Sequence, residues 1–306
     1  MATASEIKGR IAGVRDTKKI TDAMYMISSV KMRRASHAFE ETRPYFEALS
    51  DKIGELFAHI PHTESRFFSV PAAEAGAWKK HGLLLVTADK GLAGAYNQEA
   101  VRAGEKYLKS HPDTRLFVIG EFGRQYFLSH KIAFEQQFHY SLVEPSLYDA
   151  RKICARLLED YDSGSLDEIS IIFTDYTGSR AGECKCITLL PLDRASFDGA
   201  APASGGFEKK FIPDPDTVLE GIVPSYLVGF IYGCLVKSFC SEQNARMMAM
   251  KNAGDNAEEM LRSLQLQYNK IRQATITNEM IEITAGVRAL KRQRTAAAGD
   301  VCYDDE

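Results

Sequence analysis

The sequence predicts an α/β domain carried between two long terminal helices, and three observations predict it. All ten prolines lie between Pro44 and Pro224, so residues 1 to 43 and 225 to 306 each run without a missing amide or a ring clash. Apolar residues recur at helical spacing near both ends. Between the ends, short β-rich runs alternate with helix-like stretches, which is the pattern of a largely parallel sheet.

The N-terminal helix carries one apolar stripe of Ile7, Ile11 and Val14 and another of Ile20, Met24 and Ile27. The second is rotated from the first by about 220° at about 100° per residue. One helix therefore faces two neighbours, either inside a bundle or by pairing along part of its length and meeting another subunit along the rest. From Lys8 to Arg34 the same helix has eight basic residues against Asp16 and Asp22, which implies an acidic partner or a solvated face. Nucleic acid ranks low as that partner, because the chain shows no groove-reading motif and no basic, aromatic-interleaved sheet.

In the middle, Leu83 to Thr87, Leu116 to Ile119 and Ile169 to Thr174 read as strands. Helix-like stretches near residues 97 to 110, 121 to 130 and 146 to 162 separate them. Ile132 to Phe138 and Lys185 to Leu190 read as weaker edge strands. Pro202 to Gly206 reads as a loop, and Ile212 to Asp216 as the return to helix. In the final helix Leu261, Leu264, Tyr268 and Ile271 are spaced 3, 4, 3. After one slip, Ile276, Met280, Ile283, Val287 and Leu290 are spaced 4, 3, 4, 3, giving a coiled-coil seam with a register shift.

Composition sets the outer limits. With 306 residues, 45% hydrophobic and 26% charged, and a net charge of −3, the chain can bury a real core in one or two domains. No run approaches the roughly 18 apolar residues of a membrane span, and the first residues lack the apolar core of a signal peptide. The expected place is the cytoplasm. The six cysteines are scattered; Cys184 and Cys186 would share one face of a strand, with no second pair at zinc-site spacing.

An α/β domain raises the question of catalysis. The sequence holds no phosphate loop, no dinucleotide fingerprint after the first strand and no nucleophile elbow. After the first strand comes Asp89-Lys90-Gly91-Leu92-Ala93-Gly94-Ala95-Tyr96-Asn97. Its glycines suit a tight turn that packs the next helix close on the sheet, the reading preferred here, or one that cradles an anion. Seven histidines and Trp78 form no constellation.

Glu6-Ile7 through Thr17-Lys18-Lys19-Ile20-Thr21-Asp22-Ala23-Met24, then Ser29-Val30-Lys31-Met32-Arg33-Arg34, resembles the N-terminal signature of the gamma subunit of F-type ATP synthases. Ser241-Glu242-Gln243-Asn244-Ala245-Arg246 through Ala253, and Tyr268-Asn269-Lys270-Ile271-Arg272-Gln273-Ala274-Thr275-Ile276-Thr277, resemble its C-terminal signature. The Thr87 to Gly94 turn and the Leu189-Leu190-Pro191-Leu192 strand end match as well, so the resemblance covers nearly residues 1 to 290. It implies a long antiparallel coiled coil of the N- and C-terminal helices plus a Rossmann-like α/β domain: shaft helix 1–60, foot domain 61–215, second shaft helix 216–290 and a mobile extension 291–306. A helix of roughly 70 residues would reach about 100 Å, enough to cross a large subunit ring.

The resemblance also implies a role and partners. The shaft enters a hexamer of alpha and beta subunits, the foot meets epsilon and the c-subunit ring, and rotation couples ion flow to ATP synthesis or hydrolysis at beta. On this reading the chain is a non-catalytic rotor without cofactor or metal, peripheral on the cytoplasmic face of a bacterial plasma (inner) membrane, with no direct membrane insertion. Met24, Lys31, Arg33 and Arg34 would face acidic lever segments of beta. Lys18, Lys19, Arg246, Arg272, Gln273 and Thr277 would face alpha and beta elsewhere, and Ile283, Val287 and Leu290 would ride in an apolar bearing. The chain departs from many relatives at Ile212, where they carry an acid, and in extending past residue 290. It also lacks the cysteine-bracketed insert of chloroplast relatives. A non-rotary coiled-coil adaptor, or a small-molecule-binding α/β protein with helical arms, are the alternatives.

Overall fold

The computed structural model describes residues 3–59, 65–68, 80–176, 182–197, 212 and 214–299. The first helix, α1 (Ala4–His59), starts on a reciprocal cap. The Glu6 amide donates to Thr3 Oγ1 at 3.3 Å and the Thr3 amide donates to Glu6 Oε2 at 2.9 Å, which satisfies two orphan donors at once. α1 continues through Pro44, past the proline-free run. The last helix, α5 (Pro215–Gly299), opens with Asp214 accepting from the Thr217 amide at 2.9 Å and its hydroxyl at 2.7 Å. Pro215 takes the first helical position, where its missing N–H costs nothing. The helix passes through Pro224 and runs to Gly299, so the first part of the expected mobile extension is helical; residues 300–306 lie outside the described residues.

Between the long helices come β1 (His81–Val86), α2 (Tyr96–Ser110), β2 (Arg115–Ile119), α3 (Glu121–Ser129), α4 (Leu147–Asp162), β3 (Glu168–Asp175) and β4 (Glu183–Leu190). They form a sheet in the order β2-β1-β3-β4. β1 pairs parallel with both β2 and β3, and β4 closes one edge antiparallel to β3. β1 and β3 are buried nearly end to end, as parallel strands covered on both faces must be. One face packs α4 and α5 residues such as Leu157, Leu227, Ile231 and Phe239 on Leu84, Ile171 and Phe173. The other packs Val101 of α2 and Phe127 of α3 on Leu83, Leu85 and Val118.

Two expectations fail here. Ile132 to Phe138 is not a strand. The Arg124 guanidinium donates to the Phe138 and Gln136 carbonyls at 2.8 and 3.2 Å, and only a single ladder-like bond, Glu135 amide to Leu116 carbonyl at 2.8 Å, ties the segment to β2. The expectation about membrane spans fails as well. α5 holds an 18-residue window of mean hydropathy 1.6, long and apolar enough by length and composition to cross a membrane, with half of the window buried inside the chain. Those buried side chains, Leu219, Val223, Leu227 and Ile231 among them, belong to the core under the sheet.

Two compact units divide the chain and cut both long helices. One joins α1 up to Met24 with α5 from Met250 onward; the other holds everything from Tyr25 to Ala249.

Candidate partner interface

In the first unit the two helices make an antiparallel pair. Ile7, Ile11 and Leu264 are buried together, with Val14, Leu261, Tyr268 and Ile271 packed on them, so the first predicted stripe and the first stretch of seam find each other. Lys18 Nζ bridges to Glu258 at 3.0 Å, and a Cβ placed on Gly254 would lie 3.6 Å from Thr21 Oγ1. The pairing index falls along α5 as it rises along α1. Lys18 is thus engaged within the chain: its ammonium is raised by the hydrogen bond and charge of Glu258. The Glu258 carboxyl is lowered by hydrogen bonds from Lys18 and Arg262. Lys19 is exposed and pairs only with Asp16, at 3.1 Å.

Because α1 begins at Ala4, α5 outruns its partner. Met280 is 65% exposed, and Ile276, Ile283, Val287 and Leu290 are exposed too. The second stretch of seam, after the slip at Ile271, packs on no other helix among the described residues. Arg272, Gln273 and Thr277 on the same segment are exposed, and Thr277 returns its hydroxyl to the Gln273 carbonyl at 2.8 Å. On α1, the second stripe is likewise uncovered at Ile20 and Ile27, while Met24 is half-buried. The simple bundle explanation of that stripe therefore fails. Arg33 and Arg34 are exposed and Lys31 is half-buried; Arg33 reaches back to Ser29 Oγ at 3.3 Å.

Arg246 makes contacts within its own chain. It is buried, and its Nη2 pairs with Glu242 at 2.6 Å while donating to the carbonyls of Lys90 and Gly91 at 3.2 and 3.0 Å. All three acceptors share Nη2, one of the guanidinium's three nitrogens. Burial pushes the Glu242 carboxyl up, against the opposing pull of Arg246.

The turn that Arg246 grips is tied down by bonds within the chain. Asp89 Oδ1 accepts from the Glu121 amide at the start of α3 at 3.0 Å, and its Oδ2 accepts from Ser141 Oγ and the Leu142 amide at 2.6 and 2.7 Å. The carboxylate thus caps the N-terminus of α3 and ties the turn to the Ser141–Leu142 segment, whereas α2, which the turn enters, has Ala95 as its N-cap and no side-chain cap. Asn97 accepts from the Ala88 amide at 2.9 Å, and Gly120, with φ +90, sits where a Cβ would come 2.1 Å from the Thr87 carbonyl oxygen. The tight-turn reading is the one the geometry carries. Tyr96 and Ser238 share a hydrogen bond of 3.0 Å, and Ser238 also accepts from the Thr174 amide at 3.1 Å. Sequence reasoning passed over Asp89, Ser238 and Glu242 as individual side chains; for Ser238 and Glu242 the available signal was polar residues within an apolar stretch of α5.

Cys184 is half-buried against the cluster of Val101 and Phe127, and Cys186 on β4 is exposed as a residue; partial burial raises both thiols. Among the described residues, no three His, Cys, Asp or Glu side chains gather to hold a metal ion.

Two long helices with uncovered apolar stripes, joined to an α/β domain whose ligand crevice is filled by its own side chains, define a subunit built for a larger assembly. The family model described as ATP synthase matches residues 3–290, and the chain belongs to that family, among its gamma chains. It is 37% identical over 297 residues to the ATP synthase gamma chain of Acetivibrio thermocellus, covering 95% of this chain and all of that one. It is 30% identical over 300 residues to the sodium ion specific gamma chain of Acetobacterium woodii, covering 93% of this chain and 98% of that one. Among solved structures, a chain of the Euglena gracilis mitochondrial ATP synthase matches with a TM-score of 0.60 at 15% identity over 95% of each chain. One from the central stalk and c-ring of the Tetrahymena thermophila enzyme matches with a TM-score of 0.55 at 21% identity, over 76% of this chain and 99% of that one. These two likenesses carry the fold alone.

Proposed function

We propose that this chain is the central-stalk rotor subunit of a bacterial F-type ATP synthase, coupling ion flow through a membrane c-subunit ring to ATP synthesis or hydrolysis at beta subunits. The observation that carries this reading is the apolar seam from Ile276 to Leu290, which the chain builds at coiled-coil spacing and leaves uncovered. Full-length similarity to gamma chains supports it. The rotor acts as an effector. Three chemically alike beta sites differ in affinity only if an asymmetric object makes different contacts with each, because a ligand shifts an equilibrium only by its differential affinity.

Within that role, Met24, Lys31, Arg33 and Arg34 face acidic segments of beta. Long-range attraction suits a turning surface, since it survives angular displacement better than tight apolar docking. Lys19, Arg272, Gln273 and Thr277 make and break polar pairs with alpha and beta, and Ile283, Val287 and Leu290 turn in an apolar bearing. The α/β domain contacts epsilon and the c ring, which holds the chain peripherally on the cytoplasmic face of the membrane. The chain itself is non-catalytic. The test is co-purification with alpha and beta followed by single-particle rotation under ATP. Assembly without rotation would favour the non-rotary adaptor, and failure to assemble would sink both.

A further inference from the structure

We infer that Ser238, Glu242 and Arg246 form a torsional clamp that fixes the angular register of α5 on the α/β domain, with Arg246 as its positioning residue. The inference rests on the rotor reading above. The three residues fall at i, i+4 and i+8, one face of the helix, and all are buried: Ser238 at 0%, Glu242 at 4% and Arg246 at 8% exposure. That face lies against the carboxyl ends of β1 and β3, the place where an α/β sheet ordinarily takes its ligand. Here the place is filled by a row of bonds. Ser238 holds Tyr96 of α2 and the Thr174 amide of β3, and Arg246 holds the Lys90 and Gly91 carbonyls after β1.

Apolar packing between α5 and the sheet resists separation but is non-directional, so it opposes rotation of the helix about its axis weakly. Hydrogen bonds weaken steeply once their angle is lost, and charge-assisted ones buried from water are the strongest of the kind. A rotor whose α/β domain is turned from outside must pass torque into α5, and these bonds, with the Lys237–Asp175 ion pair of 3.1 Å, are directional links between the two. Arg246 is the member whose loss releases the most, because it both bonds the Lys90 and Gly91 carbonyls of the turn and pairs with Glu242.

The test uses the assembled ATP synthase carrying the variant chain. Arg246→Met alone leaves the Glu242 carboxylate buried without its partner, and it should lower both assembly and coupling. The pair Glu242→Gln with Arg246→Met removes both charges at similar volume and so repairs burial without restoring the two bonds to the turn. The expected result is assembly close to the parent, with ions pumped per ATP hydrolysed reduced at least threefold. Arg246→Lys, which keeps the charge but not the planar fork, should fall between. Coupling in the assembled double variant equal to the parent would overturn the clamp. So would a double variant that fails to assemble while Arg246→Lys couples fully, since charge neutralisation alone would then account for the site. A parent chain that assembles without pumping would instead overturn the rotor reading itself.

Discussion

The Asp89 carboxylate and the Leu142 amide stand 2.7 Å apart, and with the Glu121 amide and Ser141 hydroxyl they close the turn after β1 from within. Removing that carboxylate in Asp89→Ala leaves two amides and a hydroxyl without their acceptor. The expected loss is about 2 kcal/mol of stability, the usual range for hydrogen bonds to a charged group, read as a fall in the urea midpoint at constant slope. A loss within about 0.5 kcal/mol would mean that water replaces the carboxylate freely.

The same closure bears on nucleotides. With no phosphate loop in the sequence and Arg246 paired with Glu242 and the turn, the purified chain should show no stoichiometric heat of ATP binding below millimolar nucleotide. Calorimetric saturation at one site in the micromolar range would contradict both the filled crevice and the non-catalytic role.

Much of this was legible in the sequence, and the failures have physical causes. The 3, 4, 3 spacing from Leu261 to Ile271 found its partner stripe because a seam is a local pattern. That the next stretch, from Ile276 to Leu290, is exposed was not legible from its spacing, which continues the same seam pattern. The buried row from Ser238 to Arg246 was hidden because polar residues on a long helix read as a solvated face, and their partners lie more than 60 residues away. The Lys18–Glu258 pair was likewise hidden, its partners being 240 residues apart. The Ile132 to Phe138 segment has strand composition, but its carbonyls are taken by Arg124, a side-chain competition that propensity does not see.

Lys18 and Glu258 offer a pH test with a definite sign. The Glu258 carboxyl is lowered on folding, so its contribution is present above the unfolded value of about 4.3 and is lost as pH falls through the lower folded value. The Lys18 ammonium is raised, so its contribution is present below about 10.4 and is lost as pH rises through the higher folded value. A double-mutant cycle with Lys18→Met and Glu258→Gln should therefore show favourable coupling at neutral pH that vanishes in strong acid. The coupling should also shrink in high salt, because the pair is half-exposed. Coupling that persists in acid would show that packing, not charge, joins the two side chains.

Phe239 and Met280 separate what the chain needs for itself from what it offers to others. Phe239 is 2% exposed within the core under the sheet, whereas Met280 is 65% exposed on the unpartnered stretch. Phe239→Ala should cost about 3–5 kcal/mol in the isolated chain, and Met280→Ala should stay within about 0.5 kcal/mol. In the assembled enzyme the order of effects on rotation should reverse for variants that still fold. If Met280→Ala destabilises the isolated chain as much as Phe239→Ala does, the exposed seam is covered by something within the chain.

Arg33 and Arg34 test the charge on α1. Both are exposed, so reversing them to Glu should leave the fold within about 0.5 kcal/mol of the parent. An acidic partner surface would then be repelled where it was attracted, and the penalty must follow the screening length. That length falls from about 30 Å at 0.01 M salt to about 8 Å at 0.15 M. Binding of the double variant to alpha and beta subunits, followed by sedimentation, should therefore be weakened strongly at 0.01 M, by at least ~10-fold as for charge-steered complexes. The gap from the parent should narrow severalfold at physiological salt. A loss of equal size at both ionic strengths would assign these arginines to close packing and remove the acidic-partner reading of this face.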